Sequence, residues 1–228
     1  MDGNGRWAKS KGLPRLEGHR KGVETVEEIV ETVRDLKIPY LTLYAFSDEN
    51  WRRPEAEITA LMVLLEDYLK SKQEKMIKNG IRFRAIGDLA KLPERVRAVV
   101  QETIEKTKEG KEMALILALS YGSRNEIVRA VERMMRDHEG PWTMDHGLGE
   151  VEIAKYLDTK DFPDPDLLIR TSGEYRLSNF LLWQLAYTEL IFTKTMWPDF
   201  TPTELHKALE EYSRRERRFG KISEQLVR

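Results

Sequence analysis

The sequence predicts an α/β protein with an open, mostly parallel central sheet and helices on both of its faces. Segments with a helical spacing of apolar residues alternate with short, continuous apolar runs, such as YLTLYAF at 40–46 and MALILAL at 113–119. These runs do not alternate between polar and apolar residues, which is typical of strands that a parallel sheet buries on both faces. No linker, repeat or low-complexity tract divides the 228 residues, so we expect one domain spanning 1–228.

The helices are predicted from the spacing of apolar residues and from the residues at their ends. The helix at about 20–37 carries an apolar stripe and ends before Pro39, and the helix at 55–79 ends before Gly80. Further helices are expected at 93–109, at 124–137, after a loop at 140–149, at 179–186 and at 202–219.

The strands are predicted from short runs rich in apolar and β-forming residues. They are expected at 40–46, 81–87, 113–119, 166–170 and 189–193. In open parallel sheets, ligands bind beyond the carboxyl ends of the strands. The segments that follow three of these strands, at 47–53, 121–124 and 170–178, are therefore expected to form the binding site.

The composition excludes several classes of function. The chain has 38 basic and 39 acidic residues and a net charge of −1, so it offers no overall field that would attract nucleic acid. It has no cysteine, which excludes disulfides and thiolate metal sites. No apolar run approaches the roughly 18 residues of a membrane span. We expect a cytoplasmic protein, with at most peripheral contact with a membrane.

The segment RTSGEYRLSN at 170–179 has the composition of an anion site, since it places two arginines, a glycine and hydroxyl side chains in one turn. Arginine binds phosphate bidentately, and hydroxyl groups add neutral hydrogen-bond donors. A second such patch, DGNGRW, opens the chain at 2–7. Its glycines admit an anion to backbone N–H groups, and an aspartate beside phosphates is typical of a Mg²⁺ ligand. Two phosphate sites, one with an acidic residue, predict an enzyme that joins two phosphorylated substrates.

The glycines of the opening segment also fit the dinucleotide-binding pattern G-x-G-x-x-A. No strand precedes them in this chain, and Asp48 comes too late in the sequence to bind a ribose. A phosphate-binding loop explains the combination of residues better.

Four ordered motifs carry a family resemblance: MDGNGRWA at 1–8, FSDENWRRP at 46–54, RTSGEYRLSNFLLWQLAYTEL at 170–190 and WPDF at 197–200. On these residues the chain resembles the cis-prenyltransferases, the family of undecaprenyl diphosphate synthase. The resemblance implies Mg²⁺-dependent condensation of isopentenyl diphosphate with an allylic diphosphate starter. The implied product is a long-chain polyprenyl diphosphate, the precursor of a glycan or cell-wall lipid carrier. It further implies a homodimer, an apolar tunnel in each subunit and transient membrane contact through the lipid product.

The resemblance also implies roles for individual residues. Asp2 and Asn50 are implied as catalytic, and Asp2 and Glu189 as Mg²⁺ ligands, with Glu189 acting across the dimer interface. An amide is a poor base, so we expect a diphosphate oxygen rather than Asn50 to accept the proton. The implied substrate-binding residues are Gly3, Asn4, Gly5, Arg6, Trp7, Arg15, His19, Ser47, Asp48, Glu49, Trp51, Arg53, Arg170, Arg176, Leu177 and Ser178.

We expect the tunnel between the helix at 55–79 and the strand at 113–119, with Met113 as a candidate for its closed end. The segment RFG at 218–220 is similar to the family's C-terminal Arg-x-Gly, which completes the pyrophosphate site of the partner subunit. Family members carry an apolar strand directly before the first motif, and this strand is absent from the chain. Tyr175 stands where some members have a histidine that approaches the metal.

Two other functions are consistent with parts of the sequence. A non-catalytic partner subunit of a heteromeric prenyltransferase would share the fold but lose the loop around Asp2, which this chain keeps. A nucleotide-binding or nucleic-acid-binding module would need a P-loop or a basic stripe, and the sequence has neither.

Overall fold

The structure is a computed structural model that describes residues 1–137 and 149–216. The helices are α1 (Asn4–Ser10), α2 (Arg15–Asp35), α3 (Glu55–Lys78), α4 (Glu94–Lys106), α5 (Ser123–Asp137), α6 (Glu150–Ala154) and α7 (Pro202–Ser213). The strands are β1 (Tyr40–Ser47), β2 (Ile81–Ile86), β3 (Met113–Tyr121), β4 (Leu167–Arg170) and β5 (Glu189–Phe192). The predicted α/β class is confirmed.

The strands pair in parallel, in two groups. β1, β3 and β2 form one sheet in that order, with Tyr40 opposite Ala114 and Ile81 opposite Met113. β4 and β5 form a second sheet, with Leu167 opposite Glu189. Within the described ranges no strand lies between β1 and β4, and residues of both strands line one large cavity.

β3 is buried along its whole length, as its continuous apolar sequence predicts. One face of β3 packs on apolar side chains of α2, α3 and α4, such as Ile29, Leu69 and Val100. The other face packs on Leu181 and Leu185, in the segment that follows the predicted anion-binding loop. The strands are thereby fixed, and their carboxyl ends carry the loops of the candidate site.

The start of the chain differs from the prediction. α1 was not expected, and α2 begins at Arg15 rather than near residue 20. The two helices contact each other at Gly18 and Gly22, where the backbone and side chain of Asn4 approach closely. Because this contact is made by glycines and an asparagine, it produces no apolar stripe in the sequence. The helical spacing of apolar residues begins only where α2 reaches the apolar core.

The helix predicted at 179–186 is wrong. This segment forms irregular turns, and Ser178, Asn179 and Leu181 have positive φ angles of 50°, 60° and 46°. Tertiary hydrogen bonds replace helical ones: Ser123 Oγ accepts the N–H of Leu182 at 2.9 Å. α7 ends at Ser213 rather than 219. The expected loop at 140–149, except for its last residue, and the segment 218–220 lie outside the described residues.

Candidate active site

A cavity of about 1120 Å³ lies at the carboxyl ends of β1 and β4 and extends between the two sheets. Its mouth is polar and its interior is apolar, with walls from α2, β1 and α3 such as Ile29, Leu43 and Leu65. Most of the predicted site residues lie on its wall: Asp2, Gly3, Asn4, Gly5, Arg6, Arg15, His19, Ser47, Glu49, Asn50, Arg53, Arg170, Arg176, Leu177 and Ser178.

Asp2 is held by its backbone so that its carboxylate faces this mouth. Its carbonyl oxygen accepts hydrogen bonds from the Oγ of Ser172 at 2.8 Å and the N–H of Trp197 at 2.9 Å. The guanidinium of Arg170 donates to Oδ2 at 3.1 Å, and that of Arg6 lies 3.3 Å from Oδ1. Burial opposes ionisation of Asp2, but the hydrogen bond from Arg170 and the charge of Arg6 outweigh it and lower its pKa. Asp2 is therefore a carboxylate at neutral pH.

Arg170 connects Asp2 to the second predicted anion site. Its other terminal nitrogen donates to the Oγ of Ser178 at 2.9 Å and to the carbonyl oxygen of Arg176. The side chain of Arg170 is only 14% exposed, so its position is set by these partners. The loop at 170–178 thus curls around the guanidinium of Arg170 and presents Arg176 and Ser178 at the cavity mouth.

Glu174 lies between two arginines of the site. It accepts a hydrogen bond from Arg6 at 2.6 Å and forms an ion pair with Arg176. These two arginines come from the two sequence motifs with phosphate-binding composition. One carboxylate thus balances the charge of two arginines that are predicted to bind phosphate groups.

A second group of basic side chains surrounds Glu57 of α3. Its Oε1 lies 3.3 Å from Arg15, 3.1 Å from Arg53 and 3.9 Å from the Nε2 of His19. Arg15 and His19 lie one turn apart on α2, and Arg53 follows the turn after β1. One carboxylate gathers all three at the cavity wall. The Nε2 of His19 is buried and has no hydrogen-bond partner in the described part of the chain.

The pKa of His19 is lowered from 6.5 to about 4, because burial disfavours the charged ring and Arg53 repels it. His19 is therefore neutral at pH 7 and offers a ring nitrogen rather than a positive charge. A hydrogen-bonding ligand such as a diphosphate would satisfy this nitrogen.

This pKa predicts a pH dependence of stability. Between pH 6.5 and 4 the unfolded chain binds a proton at His19 and the folded chain does not. The free energy of unfolding is therefore not reduced by His19 above pH 6.5. It falls as the pH is lowered towards 4, by up to about 3 kcal/mol. Urea unfolding of the wild type and His19→Gln across this range measures it. If the two proteins lose stability equally, the ring is not buried in its neutral form.

The turn after β1 is a 3₁₀ helix at Asp48–Arg52 whose start is capped by Ser47 and Asn50. The Oδ1 of Asn50 accepts the N–H of Ser47 at 3.2 Å, so its amide is already engaged in holding the turn. Glu49 accepts a hydrogen bond from Asn179 at 2.9 Å. Asp48 forms an ion pair with Lys91 at 2.7 Å and does not line the cavity.

Some predicted residues lie elsewhere. Neither Trp7 nor Trp51 lines the cavity; the indole N–H of Trp51 donates to the Oγ of Ser120 at 2.8 Å. Met113 is buried at the start of β3 and is not on the cavity wall, so its expected place at the closed end is corrected. Glu189 begins β5, where it pairs with Arg215 at 2.8 Å, and it is not on the cavity wall either.

Two acidic residues that pair with the arginines of the candidate site were not singled out from the sequence. Glu57 and Glu174 look like ordinary acidic residues of a helix and a loop, and their role follows only from the arginines that they gather. In the sequence, the surplus of arginine in the motifs is the one signal that counter-charges are needed nearby.

The residues present fit a Mg²⁺ ion that arrives with a diphosphate. Among the described residues there is no group of three or more histidine or acidic side chains that could hold a metal alone. Asp2 is an ionised carboxylate, 37% exposed, between arginines that would bind phosphate oxygens. Mg²⁺ is commonly bound by one or two carboxylates together with substrate phosphates and water.

Comparison with known proteins decides the family. A profile of the family described as "Putative undecaprenyl diphosphate synthase" matches residues 1–220. The chain belongs to this family. The resemblance to the cis-prenyltransferases is thus confirmed, and the protein is a transferase.

Individual relatives are similar in sequence over nearly the whole chain. The isoprenyl transferase of Geobacter sulfurreducens is 53% identical over 99% of this chain and 92% of the relative. That of Chlorobaculum tepidum is 51% identical over 99% of this chain and 85% of the relative. The crystal structure of lavandulyl diphosphate synthase from Lavandula x intermedia, in complex with dimethylallyl diphosphate, superposes with a TM-score of 0.92. It is 39% identical, and the match covers 97% of this chain and 95% of that one. In the part of the chain described here, no helix has the length and apolar character needed to cross a bilayer.

Proposed function

We propose that this transferase condenses isopentenyl diphosphate with an allylic diphosphate starter, in a Mg²⁺-dependent reaction that yields a long-chain polyprenyl diphosphate with cis double bonds. The observation that carries the proposal is the meeting of Asp2 with arginines from both phosphate-type motifs at the mouth of one apolar cavity. A cavity with a charged mouth and an apolar interior suits a substrate with a diphosphate head and a hydrocarbon tail.

The starter's diphosphate would bind beside α1, between Arg6 and the group formed by Arg15, His19 and Arg53. Support comes from the unpartnered Nε2 of His19 and from the arginines that already converge there on a carboxylate. A relative in complex with dimethylallyl diphosphate, an allylic diphosphate, supports the substrate class.

Isopentenyl diphosphate would bind at Arg170, Arg176 and Ser178. The hydrogen bond from Arg170 to Ser178 preorganises this loop, and Arg176 becomes available when a diphosphate replaces Glu174 as its partner. Arg170 contacts Asp2 as well, so the two subsites share a side chain. Holding both substrates in fixed positions makes a bimolecular condensation effectively unimolecular.

In the reaction, the bond between the allylic carbon and the diphosphate oxygen breaks, and the allylic carbon bonds to the terminal alkene carbon of isopentenyl diphosphate. The positive charge then lies on C3 of isopentenyl diphosphate. C2 loses a proton to form the new C2=C3 double bond, and inorganic diphosphate departs. Arg6, Arg15 and Arg53 stabilise the negative charge that grows on the leaving diphosphate. The amide of Asn50 caps its turn, so we assign the proton to a diphosphate oxygen rather than to Asn50.

Asp2 would hold the Mg²⁺ together with oxygens of the diphosphate. The ion supplies charge stabilisation to the leaving group as a Lewis acid. Glu189 lies outside the cavity of its own chain, so a metal role for it would require a second subunit.

The growing hydrocarbon chain would occupy the apolar interior between α2 and α3. Each buried CH₂ contributes roughly 0.8 kcal/mol, so burial of the tail offsets the cost of ordering it. A polyprenyl product would leave into a lipid phase, which is our reason for proposing transient membrane contact and a carrier role for the product.

We also propose a homodimer. Apolar side chains are exposed on α5, at Val128 (56%) and Met135 (56%), and nearby on α6 at Val151 (76%). Val128 and Met135 are seven residues apart and share one helix face. Light scattering should therefore give twice the chain mass of 26.7 kDa.

The proposal is tested by incubating the protein with labelled isopentenyl diphosphate and starters of five, ten, fifteen and twenty carbons, followed by sizing of the extracted lipids. We expect elongated products from at least one starter, with length set by the cavity. Absence of product from every starter, with a folded protein, would favour the non-catalytic partner subunit.

A further inference from the structure

Asn179 comes directly after the proposed isopentenyl diphosphate loop and has an unusual backbone conformation. Its φ angle is 60°, and that of the preceding Ser178 is 50°. Asparagine is one of the few residues besides glycine that adopts the left-handed region at modest cost, because its side chain can hydrogen-bond locally. Specific contacts are still needed to hold two consecutive residues there.

Asn179 makes three hydrogen bonds that reach two other segments. Its carbonyl oxygen accepts the N–H of Ser123 at 2.8 Å, and its Oδ1 accepts the N–H of Arg124 at 2.9 Å. These N–H groups belong to the first turn of α5, where helical acceptors are lacking. The Nδ2 of Asn179 donates to the carboxylate of Glu49 at 2.9 Å, in the turn that also carries Asn50.

Gly122 allows this arrangement. A Cβ atom at position 122 would lie 2.7 Å from the Nδ2 of Asn179, well inside van der Waals contact. The amide group therefore packs against the backbone of residue 122, and any larger residue there would displace it. The contact between Asn179 and Glu49 depends on this glycine.

The side-chain amide of Asn179 thus links two proposed substrate-binding segments through hydrogen bonds. On one side, Ser178 accepts from Arg170 at 2.9 Å, and on the other Glu49 precedes Asn50. We propose that Asn179 is a positioning residue that fixes the loop at 170–178 relative to the turn at 47–52, and so places isopentenyl diphosphate against the starter. This inference rests on the proposed function.

The test uses Asn179→Asp, which keeps an oxygen for the N–H of Arg124 but replaces the donor to Glu49 with a second carboxylate oxygen. We expect kcat with isopentenyl diphosphate to fall about tenfold, the loss expected for one such hydrogen bond. The KM for the starter should stay within about twofold and the melting temperature within about 3 °C, because the cap of α5 is retained.

Two further variants separate positioning from general damage. Asn179→Asp combined with Glu49→Gln restores a donor and an acceptor with exchanged roles, so its kcat should return to that of Glu49→Gln alone. Gly122→Ala leaves both partners intact but displaces the amide, so it should reproduce the kinetic loss of Asn179→Asp.

The outcomes are distinct. Wild-type kinetics in an active Asn179→Asp enzyme would overturn this inference alone. A loss that follows the melting temperature, affects both substrates equally and is not restored by Glu49→Gln would also overturn it, because Asn179 would then be merely structural. An inactive wild type would overturn the proposed function, and this inference with it.

Discussion

Replacement of Arg170 by alanine is expected to lower kcat/KM by about 10³-fold, with the protein still folded. Arg170 donates to Asp2, to Ser178 and to the carbonyl oxygen of Arg176, so its loss disturbs both proposed subsites together. It also removes a counter-charge of Asp2, and the pKa of Asp2 should rise because the hydrogen bond from Arg170 helps to lower it. Steady-state kinetics with each substrate varied in turn measures the effect.

Two variants define the origin of this loss. Arg170→Lys keeps the charge but not the planar fork, and we expect it to recover only a small part of the activity. Arg34→Ala removes an arginine that pairs with Asp35 at the far end of α2, and it should leave the kinetics unchanged. If Arg170→Lys matched the wild type, the fork geometry would have no role, and a simple charge would suffice.

Replacement of Gly3 by alanine is expected to reduce activity by at least about 10²-fold and to destabilise the fold by roughly 2–3 kcal/mol. Gly3 has a φ angle of 102°, which L side chains rarely adopt. An added Cβ would lie 2.0 Å from the Oγ of Ser172, which donates to the carbonyl oxygen of Asp2. The substitution therefore displaces the backbone that aims the carboxylate of Asp2.

Gly12 provides a matched control for Gly3. It also has a positive φ, 69°, but nothing lies within 4 Å of an added Cβ. Gly12→Ala should cost only the backbone strain, about 1 kcal/mol, and leave kcat unaffected. Thermal unfolding and initial rates of both variants test this. Equal kinetic effects at both positions would mean that the contact with Ser172 does not position Asp2.

The sequence predicted most of the fold because the main elements have strong local signals. The continuous apolar run at 113–119 could only be a buried strand, and Pro93 and Pro202 mark helix starts that the structure confirms within a residue. The prediction of a helix at 179–186 failed because long-range contacts, and not local signals, determine the structure of this segment. Its apolar residues fit a helix, but hydrogen bonds from Leu182 to Ser123 and from Ser123 to Asn179 bend it into turns, and no local pattern encodes these long-range partners.

The candidate site was predicted through its motifs and not through its internal contacts. Residue types at 2–7 and 170–178 indicate phosphate binding by themselves, and the structure brings them together through Arg170. The ion pairs that Glu57 and Glu174 form with these arginines join elements that are far apart in the sequence, so no local pattern predicts them. The resemblance implies that Trp51 contacts the substrate, whereas its contact with Phe46, with ring centres 4.9 Å apart, could not be predicted from the sequence.

The most direct test of the central claim is the metal dependence of condensation in the wild type and in Asp2→Ala, with Asp2→Asn as the isosteric control. Labelled isopentenyl diphosphate and farnesyl diphosphate are incubated with Mg²⁺ or with EDTA, and the extracted lipids are sized. We predict long products from the wild type with Mg²⁺ only, and a loss of at least about 10²-fold in both variants. Product formation in EDTA, or undiminished activity of Asp2→Ala, would contradict the assignment of Asp2 and Mg²⁺ to the leaving diphosphate.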